Sequence, residues 1–215
     1  MRKIKMESAV LSQKYGNLKN LKDLFQEVER EFYQTDEVVC RFIIDGHEVE
    51  ESAESRLGET GVDQINTLEV HVQTVEKVIS AVIENWIERM PQLIVSTENL
   101  SKHIRFNGSD GSLPFFVELI DNCQLLVESL MSISSVLQSK LSTIDEKWRT
   151  CEKSMAQVIG EALLAFEKKD YNQLSDVLEY DLANSLQTWQ ELLKNLLETM
   201  GSEHGKIQTQ QESSL

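Results

Sequence analysis

The chain has 215 residues, with 21 Lys and Arg against 36 Asp and Glu, a formal net charge of −15 and a pI near 4.7. That sign excludes an electrostatic nucleic-acid binder, because affinity for phosphate comes from cationic side chains that release counterions, and it disfavours an anionic membrane surface. Its 40% hydrophobic and 27% charged residues suit a folded soluble chain, and only two prolines and nine glycines argue for long elements and few tight loops.

The N-terminus, Met1-Arg2-Lys3-Ile4-Lys5, begins like a basic leader but lacks the apolar run that must follow, since Glu7, Ser8 and Lys14 intervene. No stretch approaches the ~20 apolar residues needed to span a bilayer. A cytoplasmic location is therefore expected, without membrane insertion.

The first strong element starts near Asn17. Leu18, Leu21, Phe25, Val28 and Phe32 step by three and four, one apolar stripe of an amphipathic helix, with Asn17 or Asn20 available as cap. Val38 to Ile44 is rich in β-branched and aromatic residues and reads as a strand. Asp45-Gly46 suits a tight hairpin turn, and His47 to Glu50 can return antiparallel. Glu51 to Gln64 reads as a loop with a helical turn around Leu57. Leu68, Val70 and Val72 then alternate with Glu69, His71 and Gln73 in a half-buried strand, with His71 expected to face solvent.

This order of helix, strand, turn, strand, loop and strand resembles the second half of the ubiquitin-like β-grasp fold. The residues that carry it are Arg41 to Val49 and Thr67 to Val72. The resemblance covers residues 1–73 and implies an N-terminal hairpin, which Lys3 to Lys14 would have to supply. It also implies a sheet face used for partner binding, here Arg41, Ile43, Glu69 and His71. Ubiquitin-type modifiers end in a free diglycine tail, whereas this chain runs through Gln73-Thr74 into a helix. A fixed interaction or packing module is implied, not a conjugated tag.

From residue 74 the pattern is helical. Val75, Val78, Ile79, Val82, Ile83, Trp86 and Met90 form a broad stripe. Pro91, which lacks a backbone donor, is expected to kink or end that helix, with Thr97 capping a new turn. Asn107 to Ser112 is a loop, and Pro114 suits the first turn of the next helix, whose apolar residues run from Phe116 to Leu141. Thr143 with Glu146 is a capping-box pair opening a helix that carries Trp148, Met155, Ile159 and Phe166. Asp170 with Gln173 marks another start, and Leu174, Leu178, Leu182, Leu186, Trp189 and Leu193 share its apolar face. Gly201 is a plausible stop, leaving residues 201–215 as a disordered polar tail. The fold expected is α+β: a small β-grasp-like domain over 1–73, then an antiparallel helical bundle over 74–200.

The segment Ala165 to Tyr171, followed by Leu178 to Leu182 and by Trp189, is similar to a stretch found in uncharacterised bacterial proteins, in which a small β-containing region precedes a helical one. That likeness implies bacterial origin and a shared architecture, and it carries no activity.

No catalytic constellation stands out. The histidines are His47, His71, His103 and His204, with no HExxH pair, no P-loop and no GxSxG elbow. Cys40, Cys123 and Cys151 are far apart, without a CxxC, and are expected as small buried groups. Glu48, Glu50, Glu51 and Glu54 cluster without EF-hand spacing. Trp86, Trp148 and Trp189 lie on apolar stripes and read as core. Asp181 and Asn184 interrupt the last helix against their propensity, the kind of local conflict that marks functional sites.

Charge is unevenly spread. Residues 1–22 carry six basic and one acidic side chain, and residues 37–69 carry two basic and nine acidic ones. The acidic part could face a basic partner or the basic segment of its own domain.

The expected function is non-enzymatic protein–protein interaction, an adaptor with no implied cofactor or metal. A chaperone for an exported or flagellar protein, shielding an amphipathic segment in a groove, is the sharper alternative. A metal- or metabolite-dependent enzyme or regulator using a carboxylate-rich pocket is the alternative of a different class. A bundle with spare apolar surface could also form homo-oligomers.

Overall fold

The computed structural model describes residues 1–50, 59–108, 111–140 and 146–212, with side chains described except at 138–140 and 202–212. The chain divides into two compact units, Met1–Val78 and Ile79–Leu215.

The first unit is a two-layer α+β structure. Strand β1 (Arg2–Glu7) leads into helix α1 (Ser8–Tyr15) and helix α2 (Leu21–Tyr33). Strands β2 (Glu37–Ile44), β3 (His47–Glu48) and β4 (Thr67–Thr74) complete an antiparallel sheet of order β1-β4-β2-β3. The Asn20 side chain caps α2 by accepting from the Asp23 N–H at 2.9 Å. Leu21, Phe25 and Val28 of the predicted stripe, joined by Leu24, pack with Phe42, Leu68, Val70 and Val72, and Leu18 and Phe32 are partly buried against them. Phe25 and Phe42 stack with centroids 4.4 Å apart.

The N-terminal hairpin implied by the ubiquitin-like resemblance does not form. One strand is followed at once by α1, because Ser8 to Tyr15 offers no turn residues and places Leu11 and Tyr15 four apart, a helical spacing that buries both. The first strand also pairs antiparallel with the last, Ile4 opposite Val70. From α2 onward the elements follow the order read from the sequence.

The turn between β2 and β3 is as expected. Asp45 and Gly46 have φ of 50° and 85°, the pair of positive values that a two-residue hairpin loop of this twist requires. The Asp45 carboxylate then accepts from the backbone N–H groups of Thr67 at 2.7 Å and Asn66 at 3.0 Å, tying the turn to the start of β4. Those backbone donors, Thr67 first, hold the Asp45 carboxyl below the usual carboxylate range. The helical turn expected at Leu57 falls outside the described residues, and a short 3-10 turn forms at Val62–Gln64.

The second unit is helical. Helix α3 (Val75–Asn107) passes through Pro91 without ending. Thr97 caps nothing: its hydroxyl donates back to the Leu93 carbonyl at 2.8 Å and is buried. Helix α3 stops at Gly108, whose φ of 64° is the left-handed geometry of a helix C-terminus. Helix α4 (Leu113–Lys140) and helix α5 (Glu146–Glu167) follow; Thr143, the expected cap partner of Glu146, lies outside the described residues. Asp170 caps helix α6 (Tyr171–Asp176), its carboxylate accepting from the Gln173 N–H at 3.0 Å. A π-helical stretch, Val177–Leu182, passes into helix α7 (Ala183–Glu212). Helix α7 does not stop at Gly201, since an exposed glycine costs only about 1 kcal/mol in a helix and no proline follows to enforce the stop.

Neighbouring helices run antiparallel. Phe116 near the start of α4 stacks on Phe166 at the end of α5, centroids 4.5 Å apart. Trp148 near the start of α5 meets Trp189 of α7 edge-on at 4.8 Å, while Met155, further along α5, receives a 3.2 Å hydrogen bond from Ser185, earlier in α7. All three tryptophans are buried, as their place on apolar stripes predicts. No described helix is long and apolar enough to cross a membrane.

Candidate functional site

Three surfaces or clusters hold polar and apolar groups in arrangements that fold formation alone does not demand.

The first is the outer face of the sheet. The strand register sets His71 between Lys3 and Arg41, and Glu69 between Lys5 and Ile43. The four residues expected as a partner-binding face therefore do share one face. The expected exposure of His71 is wrong, however: it is 3% exposed. Strict alternation predicts which face a side chain takes, not how deeply its neighbours cover it, and β4 is a central strand flanked by long side chains on both sides. The His71 Nε2 lies 2.5 Å from Glu69 Oε1, and Lys3 Nζ approaches the same oxygen at 3.8 Å. The hydrogen bond with His71, reinforced by the charges of Lys3 and Lys5, holds the Glu69 carboxyl below its usual range despite partial desolvation. Arg41 pairs with Glu48 at 2.8 Å. The charges of this face are thus largely matched within the sheet.

The second cluster surrounds the π-helical stretch. A π turn widens the helix by one residue and swings its side chains out of the regular register. Here Ser175 and Ser101 are both buried and bonded, the Ser101 hydroxyl lying 2.9 Å from the Ser175 carbonyl. Arg105 of α3 reaches Ser175 Oγ at 3.0 Å, Asp176 at 2.8 Å and Glu179 at 2.8 Å. Desolvation of the guanidinium opposes its charge, but Glu179, Tyr180 and Asp176 outweigh it and keep the pKa above the ordinary value. Propensity conflict in the sequence drew attention to Asp181 and Asn184, which are exposed; the irregular turn lies at 177–182, and the residues that bind Arg105 come just before and within it. The cluster cross-links α3 to the α6–α7 segment, and it presents cation and carboxylates already neutralising one another.

The third is a groove of about 370 Å³ between α3 and α4, lined by Leu93, Ser96, Asn99, Leu100 and His103 on one side and Phe115, Glu118, Leu119 and Asn122 on the other. Arg89 stacks over Trp86 at 4.7 Å and donates to Asn122 Oδ1 at 2.8 Å, closing one end. Phe115, on the lining, is 63% exposed. Sequence reasoning did not single out this groove. Phe115 follows the Asn107 to Ser112 loop, and an aromatic next to the apolar stripe that begins at Phe116 was the available signal.

Among the described residues no group of three His, Cys, Asp or Glu is placed to hold a metal ion. Of the acidic cluster, Glu48 is paired with Arg41, while Glu51 and Glu54 lie outside the described residues. The cysteines are unpaired, but only Cys123 is buried, its thiol pushed up to about 12 by desolvation. Cys151 is half-buried. Cys40 is exposed because the register shift between Val39 and Arg41 makes it the extra residue of a β-bulge.

Residues 81–192, just over half the chain, match the family described as Domain of unknown function (DUF8042). The chain belongs to that family. The DUF8042 match begins inside α3 and ends inside α7, so it contains the groove, the Arg105 cluster and the Tyr171 to Trp189 segment, and it leaves out the sheet. No curated protein and no solved structure matches the chain.

Proposed function

We propose that this protein is a non-catalytic protein–protein interaction module, an adaptor that acts in the cytoplasm of a bacterium. The observation that carries the reading is the groove between α3 and α4, on whose lining Phe115 is left 63% exposed. A large aromatic side chain left in water on the lining of a groove is usual where a partner covers it. The unpaired cysteines suit a reducing compartment.

The sheet, with its element order like the second half of a ubiquitin-like module, is the proposed second contact face, through Arg41, Ile43 and Glu69 around the covered His71. Because the sheet lies outside the family match and the groove lies inside it, the groove is assigned the activity common to DUF8042 domains and the sheet a role particular to chains that carry it.

The sharper form, a chaperone for an exported or flagellar protein, draws its support from the same groove, which lies between two helices where a partner's helical segment can dock. Affinity capture with the full chain, paired with a thermal-shift screen against metal ions and metabolites, tests the proposal. A reproducible protein partner with an unmoved melting temperature in the screen is expected. A tight small-molecule ligand with no protein partner would overturn it.

A further inference from the structure

We draw no further inference here: the strongest candidate, the hollow at the C-terminal end of α3 where Arg105 meets Lys168 and Lys169, belongs to the Arg105 cluster already described, and Asp170, Asp176 and Glu179 balance its three cations, so no excess charge is left there to hold an anion.

Discussion

Replacing Trp189 separates the two things a buried indole does. Its ring is fully buried and meets Trp148 edge-on at 4.8 Å, while its Nε1–H finds no acceptor among the described residues. Trp189→Ala removes both. Truncation of a buried Trp costs about 3–5 kcal/mol, and the lost aromatic pair accounts for about 0.5–1.5 kcal/mol beyond area alone. Against a typical stability of about 5–15 kcal/mol, that is enough to leave a substantial unfolded fraction under mild denaturant. Trp189→Phe keeps a ring against Trp148 and deletes an N–H whose unmet burial costs about 1–3 kcal/mol. The gain offsets much of the smaller cavity, so a net loss under about 1.5 kcal/mol is expected. Trp148→Phe is the control: the Trp148 Nε1–H donates to Glu152 at 2.8 Å, and losing that bond costs about 1 kcal/mol on top of the cavity. Urea unfolding followed by circular dichroism, which does not depend on the removed fluorophore, gives all three values. If Trp189→Phe proved as damaging as Trp189→Ala, the indole N–H would have to be making a bond, and the reasoning would fail.

Further predictions follow from other elements. Gly46→Ala forces a side chain into φ of 85° at the hairpin turn and should cost about 1–2 kcal/mol, read as a lower urea midpoint with an unchanged slope. A thiol reagent should modify Cys40 within the folded protein and reach Cys123 only on unfolding, since the Cys123 pKa of about 12 leaves almost no thiolate at neutral pH; a fast phase that survives replacement of both Cys40 and the half-buried Cys151 by Ser would contradict this. Burial pushes the Glu31 carboxyl up, but hydrogen bonds from Lys14 and from Tyr15 at 2.9 Å outweigh it and leave the pKa lowered. A lowered folded pKa adds stability that is present above the unfolded carboxylate range and lost as pH falls through the folded value, so Glu31→Gln should lower stability at neutral pH and flatten the acid limb of a stability–pH curve. A parallel, undiminished acid limb in that variant would place the effect elsewhere.

The apolar stripes were legible because helical and strand periods write burial directly into residue spacing. Leu21 to Val28, the Leu68-Val70-Val72 alternation and the Leu174 to Leu193 face all became core. Caps at Asn20 and Asp170 and the Asp45-Gly46 turn were legible for the same reason, since each is a local interaction over two or three residues. Local signals failed where distant groups decide. Pro91 reads as a break, yet the packing of Trp86 and Met90 before it and Leu100 and Ile104 after it carries the helix through, and burial outweighs one missing hydrogen bond. Conflict near Asp181 was visible, but not that Arg105, more than seventy residues upstream, would gather Asp176 and Glu179 there.

By itself the sequence determined the class, an α+β chain with a short sheet and long amphipathic helices, because hydrophobic period and turn chemistry act over a few residues at a time. Only the tertiary structure decided that β1 pairs antiparallel with β4, that His71 is covered, and that Phe115 is left exposed on the lining of a groove. Those outcomes depend on which faces meet across the chain, a choice made by the total burial of the unit and written in no single segment.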